Sequence, residues 1–362
     1  MSLFDALGRG LLFSFDPETA HGLSIRALKC GLALPTATRP SPRLRVSLCG
    51  LDFPNPLGMA AGYDKNGEVP DTLLRLGFGF AEIGTVTPLP QPGNPKPRIF
   101  RLTQDDAVIN RLGFNNEGHA RCEQRLAARA GRSGIVGVNI GANKDSADRV
   151  ADYELGVKRF ARHASYLTVN ISSPNTPGLR NMQARESLAE LLARVMDARD
   201  TEAERLGRKT PVFLKIAPDL HEGDLEDIAA EVTEKAVEGV IVSNTTIGRP
   251  PLASSARNEI GGLSGKPLFA RSTVVLAKMR RLLGPERAII GVGGVSSADT
   301  ALEKIRVGAD LVQLYTSMIY AGPALPGRVV ADMGRVLETQ NIATIREIRD
   351  TRLVDWADRL LD

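Results

Sequence analysis

From Leu57 to Tyr315 the chain alternates β-branched runs, polar loops and helical segments. The runs are Leu57–Ala61, Phe80–Val86, Ile135–Ile140, Leu167–Ile171, Val212–Ile216, Gly239–Ser243, Ala288–Val292 and Leu311–Tyr315. Their Val and Ile content marks them as buried strands. Helical periodicity fills most of the intervals, for example over 186–205, 225–235, 268–283 and 298–306. Eight strands alternating with helices predict an α/β fold, a (β/α)8 TIM barrel, with its active site at the C-terminal strand ends. A doubly wound sheet is the alternative, but no G-x-G-x-x-G follows an early strand. The stretch from Pro88 to Arg132 is too long for one crossover and predicts an excursion over the barrel mouth.

The segment before the barrel differs. Leu3, Phe4, Leu7, Leu11 and Leu12 recur at helical spacing. Asp16 then caps a second helix with Pro17 at its first position, and Ala20, Leu23, Ala27 and Cys30 form its apolar stripe. Leu32, Leu34 and Pro35 end it, and a Pro/Arg-rich linker leads to Arg45. The chain divides into an N-terminal segment, residues 1–38, and a catalytic barrel, 39–362. The net charge is only +4, and residues 1–45 hold six cations against three anions, a surplus of +3. Two amphipathic helices flanked by cations read either as an interfacial membrane anchor or as a hairpin folded onto the barrel. Val46 to Pro56 predicts a small β-hairpin turning near Gly50.

Composition excludes several functions. No zinc finger, basic helix or heptad array supports nucleic-acid binding. Three scattered cysteines and four dispersed histidines offer neither a metal spacing nor a disulfide framework. No apolar run reaches the ~18 residues of a spanning helix. The N-terminus has the character of neither a secretory signal nor a mitochondrial presequence.

A barrel predicts that the polar groups ending its strands converge. Those ends read Ala61-Gly62-Tyr63-Asp64-Lys65, Thr85, Asn139, Asn170 to Asn175, Lys215, Ser243-Asn244-Thr245, Gly291 to Gly294, and Tyr315-Thr316. Glycine-rich backbone after the seventh strand and a Tyr-Thr-Ser turn after the eighth match the phosphate site of such barrels. Lys215 ends a buried strand, where a lysine either forms a Schiff base or stays cationic beside a cofactor's negative charge. Many amides and few charges suit a flat ring of alternating N–H and C=O groups, a flavin or a pyrimidine.

Ordered motifs carry a family resemblance: AGYDKNGE from Ala61, the run Gly84–Leu102, AVINRLGFNNEG from Ala107, VNIGANK from Val138, and TVNISSPNTPGLR from Thr168. They continue with FLKIAPD from Phe213, SNTT from Ser243, GGLSGKPL from Gly261, GVGGV from Gly291 and QLYTS from Gln313. With these the chain resembles class 2, quinone-linked dihydroorotate dehydrogenases of pyrimidine biosynthesis. The resemblance implies FMN, its phosphate held by Gly265, Gly294, Tyr315 and Thr316. It places the ring among Ala61, Gly62, Thr85, Asn139, Asn170, Lys215 and Ser243, with Tyr63, Asp64 and Lys65 in the same cofactor block. Dihydroorotate falls to Lys65, the loop Asn110, Arg111, Leu112, Gly113 and Phe114, and Asn170, Asn175, Asn244 and Thr245. His21 and Arg101 fall where the family lines its quinone tunnel. Leu112 and Tyr63 are positions of tolerated side-chain variation.

Ser173 takes the position of the catalytic base, where the soluble class 1 enzymes carry cysteine. The expected chemistry takes the C5 proton to Ser173 and the C6 hydride to N5 of FMN. Lys215 stabilises charge on the reduced ring. Ubiquinone or menaquinone then collects the electrons between the N-terminal helices. The resemblance further implies a monomer, peripheral on the cytoplasmic face of a bacterial inner membrane through residues 1–35. No histidine or carboxylate adjoins Ser173 in sequence, so water or a threonine hydroxyl must relay its proton.

Overall fold

The computed structural model describes residues 10, 12–32 and 40–361. Most of the first predicted helix lies outside them, as does much of the linker. Eight parallel strands close a barrel in which every neighbour is the next in chain order. They are Leu57–Met59, Phe80–Val86, Ile135–Ile140, Tyr166–Asn170, Val212–Ile216, Gly239–Val242, Ala288–Val292 and Leu311–Leu314. The eighth closes on the first through Val312 opposite Leu57 and Leu314 opposite Met59.

Alternate strand residues divide between two apolar clusters, as the two-residue period demands. Leu57, Met59, Ile83, Val138, Val169 and Leu214 face outward to the helices. Phe80, Ile135, Tyr166, Phe213, Ile241 and Ile290 fill the barrel's lower interior. Glycines make room for the rings: a Cβ at Gly58 would lie 2.3 Å from the Phe80 ring, and one at Gly137 would lie 2.1 Å from that of Tyr166. Below them the predicted hairpin, Val46–Leu48 and Leu51–Phe53, closes the base, with Phe53 edge-on to Phe80 at 5.3 Å.

Some strand limits differ from expectation. Ala61, Ser243 and Tyr315 lie beyond the ladders, and the fourth strand gains Tyr166 and loses Ile171. Ala61, Ser243 and Tyr315 instead line the cavity at the mouth, where the chain has left the sheet. The excursion contains an antiparallel pair, Ile99–Leu102 and Ala107–Asn110, and the helix Gly118–Ala128. A third strand, Gly262–Gly265, joins the pair from the other side of the barrel and completes a small sheet over the mouth.

The N-terminal helix Pro17–Lys29 starts as predicted, with the Asp16 carboxylate accepting from the Glu18 and Thr19 amides at 3.1 and 3.0 Å. Its stripe is shifted from the predicted one. Ala20, Ile25 and Leu28 are buried, whereas Cys30 is exposed, because the helix seats a neighbouring face on the barrel. Arg98, itself buried, holds Glu18 at 2.7 Å, and Ser24 Oγ meets Tyr63 Oη at 3.1 Å. Among the described residues no helix is long and apolar enough to cross a membrane.

Candidate active site

A cavity of about 1500 Å3 runs from the barrel mouth to the N-terminal helix. Its floor is the uppermost inward layer of the strands. Thr85 Oγ donates to Asn139 Oδ1 at 2.5 Å, and Asn170 Nδ2 reaches Thr85 Oγ and Asn139 Oδ1 at 2.9 and 3.1 Å. Asn139 Nδ2 in turn donates downward to Glu82 Oε1 at 2.8 Å. Glu82 is wholly buried and also accepts from Tyr166 Oη at 3.0 Å and Gln313 Nε2 at 2.9 Å. Both amides turn their nitrogens toward its accepting oxygens. Gln313 Oε1 is thereby left buried without a partner.

Lys215, one residue before the end of the fifth strand, belongs to this floor and is almost wholly buried. No described residue gives it a hydrogen bond or ion pair. Burial drives its pKa below the usual lysine value, and the Glu82 charge works against that shift. An ammonium so placed calls for an anionic or electron-rich partner from outside the chain.

On one side of the cavity Gly265, Gly294, Tyr315 and Thr316 converge. Thr316 Oγ donates to Ser264 Oγ at 2.8 Å. Gly265 and Gly294 have φ of +98° and +72°, which lets bare backbone approach closely.

On the other side stand Ser173, Asn175, Asn110, Asn244, Thr245, Leu112, Gly113, Phe114 and Lys65. Among the described residues Ser173 Oγ accepts only the Asn175 amide, at 3.2 Å, and its own proton has no acceptor there. Its neighbour Ser172 is committed: it donates to Asn170 Oδ1 at 2.8 Å and accepts from Asn244 Nδ2 at 3.0 Å. Arg180 ties three loops together through Ser172 O, Asp219 Oδ2 and Thr245 O, at 3.1, 2.9 and 2.9 Å. Lys65 has no partner among the described residues, and burial pushes its pKa down to about 8. Thr176, three residues after Ser173, carries a buried hydroxyl without a partner.

Toward the N-terminal helix the walls become apolar, with Leu12, Phe13, Ala20, Ala27 and Leu28. His21 stands here, its Nδ1 3.4 Å from Tyr315 Oη and its ring edge-on to Tyr63 at 5.2 Å. Burial pushes its pKa down to about 3, so it is neutral. Arg101 fixes the other wall, donating to the carbonyls of Phe13 and Phe15 at 3.2 and 3.1 Å and lying 4.6 Å over the Phe13 ring.

Three of the predicted site residues do not line the cavity. Asn139 lies just beneath it. Asp64 faces the opposite way from Lys65, accepting from the Glu68 and Val69 amides at 2.7 and 2.8 Å, and burial raises its pKa to about 6. Arg111 pairs with Glu259 at 2.8 Å and stacks on Phe100. Glu82 lies outside every quoted motif, and Gln313, Arg180 and Ser264 stand inside motifs without having been named as site residues. A glutamate inside FAEIGTV and a glutamine inside LVQL were the readable signals, since an apolar strand carries such groups only when something satisfies them.

Residues 43–337 match the family model described as dihydroorotate dehydrogenase. A protein named dihydroorotate dehydrogenase (quinone) from Mesorhizobium japonicum is 74% identical over the whole length of both chains. One of the same name from Chelativorans sp. is 64% identical, covering 100% of this chain and 99% of its own. The crystal structure of the Eimeria tenella enzyme, described as DHODH in complex with ferulenol, superposes with a TM-score of 0.89 at 41% identity, covering 93% of this chain and 95% of that one. Over the barrel, the overlying sheet and the loops that build the cavity, this chain belongs to the dihydroorotate dehydrogenase family.

Proposed function

We propose that the chain oxidises dihydroorotate to orotate, with FMN at the barrel mouth as first electron acceptor and a quinone as the last. The observation that carries this reading is one cavity joining three parts. They are a floor of amides with an unpaired buried lysine, an uncommitted serine hydroxyl beside them, and an apolar slot leading to the N-terminal helix. The floor fits a flavin: Ser243 and Lys215 can meet its heteroatoms, Thr85, Asn139 and Ser172 hold the Asn170 amide beneath it, and Gln313 Oε1 is an acceptor still unused. The backbone of Gly265, Gly294, Tyr315 and Thr316 fits a phosphomonoester. FMN held by these residues would supply two-electron chemistry, with the substrate as electron donor and the quinone as final acceptor.

Ser173 Oγ accepts the proton from C5 of dihydroorotate. Serine is a weak base, so its own proton must leave as the new one arrives, and water at the cavity mouth is what takes it. Lys65 neutralises the substrate carboxylate, while Asn110, Asn175 and Asn244 hold the ring and fix its face. Lys215, which burial deprives of water, holds negative charge on the cofactor side. His21 and Arg101 border the slot by which ubiquinone or menaquinone reaches the ring. Residues 1–35 bring that slot to the lipid, on the cytoplasmic face of a bacterial inner membrane, and the chain works as a monomer.

Purified protein tests the reading directly. It should be yellow, lose its visible absorbance anaerobically on addition of dihydroorotate, and regain it with a quinone. A colourless protein that borohydride traps on a carbonyl substrate through Lys215 overturns it.

A further inference from the structure

Lys304 is a buried cation for which none of the roles above has a use. It sits in the helix Ala298–Arg306, its side chain fully shielded from solvent. Its Nζ donates to Ser272 Oγ at 2.7 Å and lies 5.1 Å from the centroid of the Phe269 ring. No carboxylate among the described residues pairs with it, and burial alone drives its pKa well below the usual lysine value. An ammonium in such surroundings is expensive unless an anion offsets it, and the described residues provide none.

What Lys304 supports is informative. Phe269 and Ser272 form the first turn of the helix Phe269–Leu283. The loop Gly293–Gly294 rests directly on that turn. A Cβ at Gly293 would fall 2.5 Å from Ser272 Oγ, and one at Gly294 would fall 2.5 Å from Phe269 Cβ. Ser272 Oγ also lies 3.3 Å from the Gly293 carbonyl. The opposite surface of the same two glycines lines the cavity, beside Gly265 and Thr316. One layer of backbone therefore separates an uncompensated buried lysine from the place where the FMN reading puts a phosphate.

We infer that Lys304 is the charge that makes this site select a phosphorylated flavin over a phosphate-free one. It acts through Ser272 and the Gly293–Gly294 loop and does not touch the phosphate. Lys304 is thus a positioning residue, and its effect falls on the phosphate rather than on the ring. The claim rests on the FMN reading, and the test keeps the two apart.

Full-length protein freed of its flavin is titrated with FMN and with riboflavin, following quenching of flavin fluorescence. The wild-type chain should prefer FMN. If it binds neither flavin, the FMN reading itself fails. Lys304→Met should weaken FMN at least tenfold and leave riboflavin within twofold. Lys304→Arg, which keeps the charge, should restore most of the preference. Ser272→Ala, which cuts the link and keeps the ammonium, should fall between. Equal loss of both flavins in Lys304→Met, or an undiminished preference for FMN, overturns the role assigned to Lys304.

Discussion

The two ends of this barrel are made from the same strands and behave as different materials. At the base, Phe80, Tyr166 and Phe213 stand edge-to-face, Tyr166 to Phe213 at 5.4 Å, and the hairpin that carries Phe53 seals them from water. Two residues further along the fourth and fifth strands come Thr168 and Lys215, and two further along the fourth comes Asn170. The layer changes from rings to amides and an ammonium within one strand length. A closed aromatic base supplies stability and rigidity, and that rigidity holds unpaired polar groups in position at the mouth. The difference implies that damage at the mouth should remove chemistry and spare the fold, while damage at the base should do the reverse.

The largest effect expected at the mouth is that of Ser173→Ala. With no other base bonded to the substrate side, anaerobic flavin reduction by dihydroorotate should slow by about 10²–10⁴-fold. The flavin should stay bound, because Ser173 makes no contact that supports the floor. Rapid-mixing absorbance is the measurement, and an unchanged rate removes Ser173 from the reaction. The matching change at the base is Phe80→Ala, which empties space against Gly58, Phe53 and Tyr166. A loss of about 3–5 kcal/mol in denaturant unfolding is expected, with turnover per bound flavin unchanged. A large fall in turnover of the folded fraction would mean that the two ends are not separable.

The sequence made the mouth more legible than the base. Strand ends announced themselves, because amides, glycines and a lysine interrupt otherwise β-branched runs. The contacts that organise those ends were not legible. Glu82 and Gln313 stand far apart in the chain and meet only because the closed barrel places the second and eighth strands on either side of the first. Likewise the resemblance puts Gly265 at a phosphate, and the pairing of its strand, Gly262–Gly265, with Ala107–Asn110 appears only once the excursion has folded over the mouth. Asp64 and Lys65 are adjacent in one motif, yet they turn to opposite sides, so a run of matching residues overstates the number that face the ligand. Helical periodicity located Pro17–Lys29 but missed its seated face by part of a turn, since small residues such as Ala20, Ser24 and Ala27 fit either side.

Acidity offers a third separation. With its pKa pushed down to about 8, Lys65 is cationic at neutral pH and loses its proton as pH rises through that value. If the cation binds the substrate carboxylate, kcat/KM for dihydroorotate is at its plateau below pH 8. It should then fall about tenfold per unit above, near a hundredfold by pH 10. Lys65→Arg should remove that limb while the unfolding midpoint, set largely by the base, moves little. A profile flat to pH 10 in the wild type would release Lys65 from carboxylate binding.

The smallest effect expected is at the boundary between the two materials, and it tests whether a boundary exists. Glu82 takes Tyr166 from the base and Asn139 and Gln313 from the mouth, and its charge opposes the fall in the Lys215 pKa. Glu82→Gln preserves shape but replaces one accepting oxygen with a donor. At least one of the three donors then faces another N–H, at a cost of about 1–3 kcal/mol. If Tyr166 is the one left unpaired, the cost appears in unfolding alone. If Asn139 or Gln313 turns instead, the floor loses its orientation, and flavin release should quicken by about tenfold with a smaller change in melting temperature. The second result is expected, because the Tyr166 hydroxyl can rotate to follow the remaining oxygen, whereas an amide held by Thr85 and Asn170 on its other edge cannot.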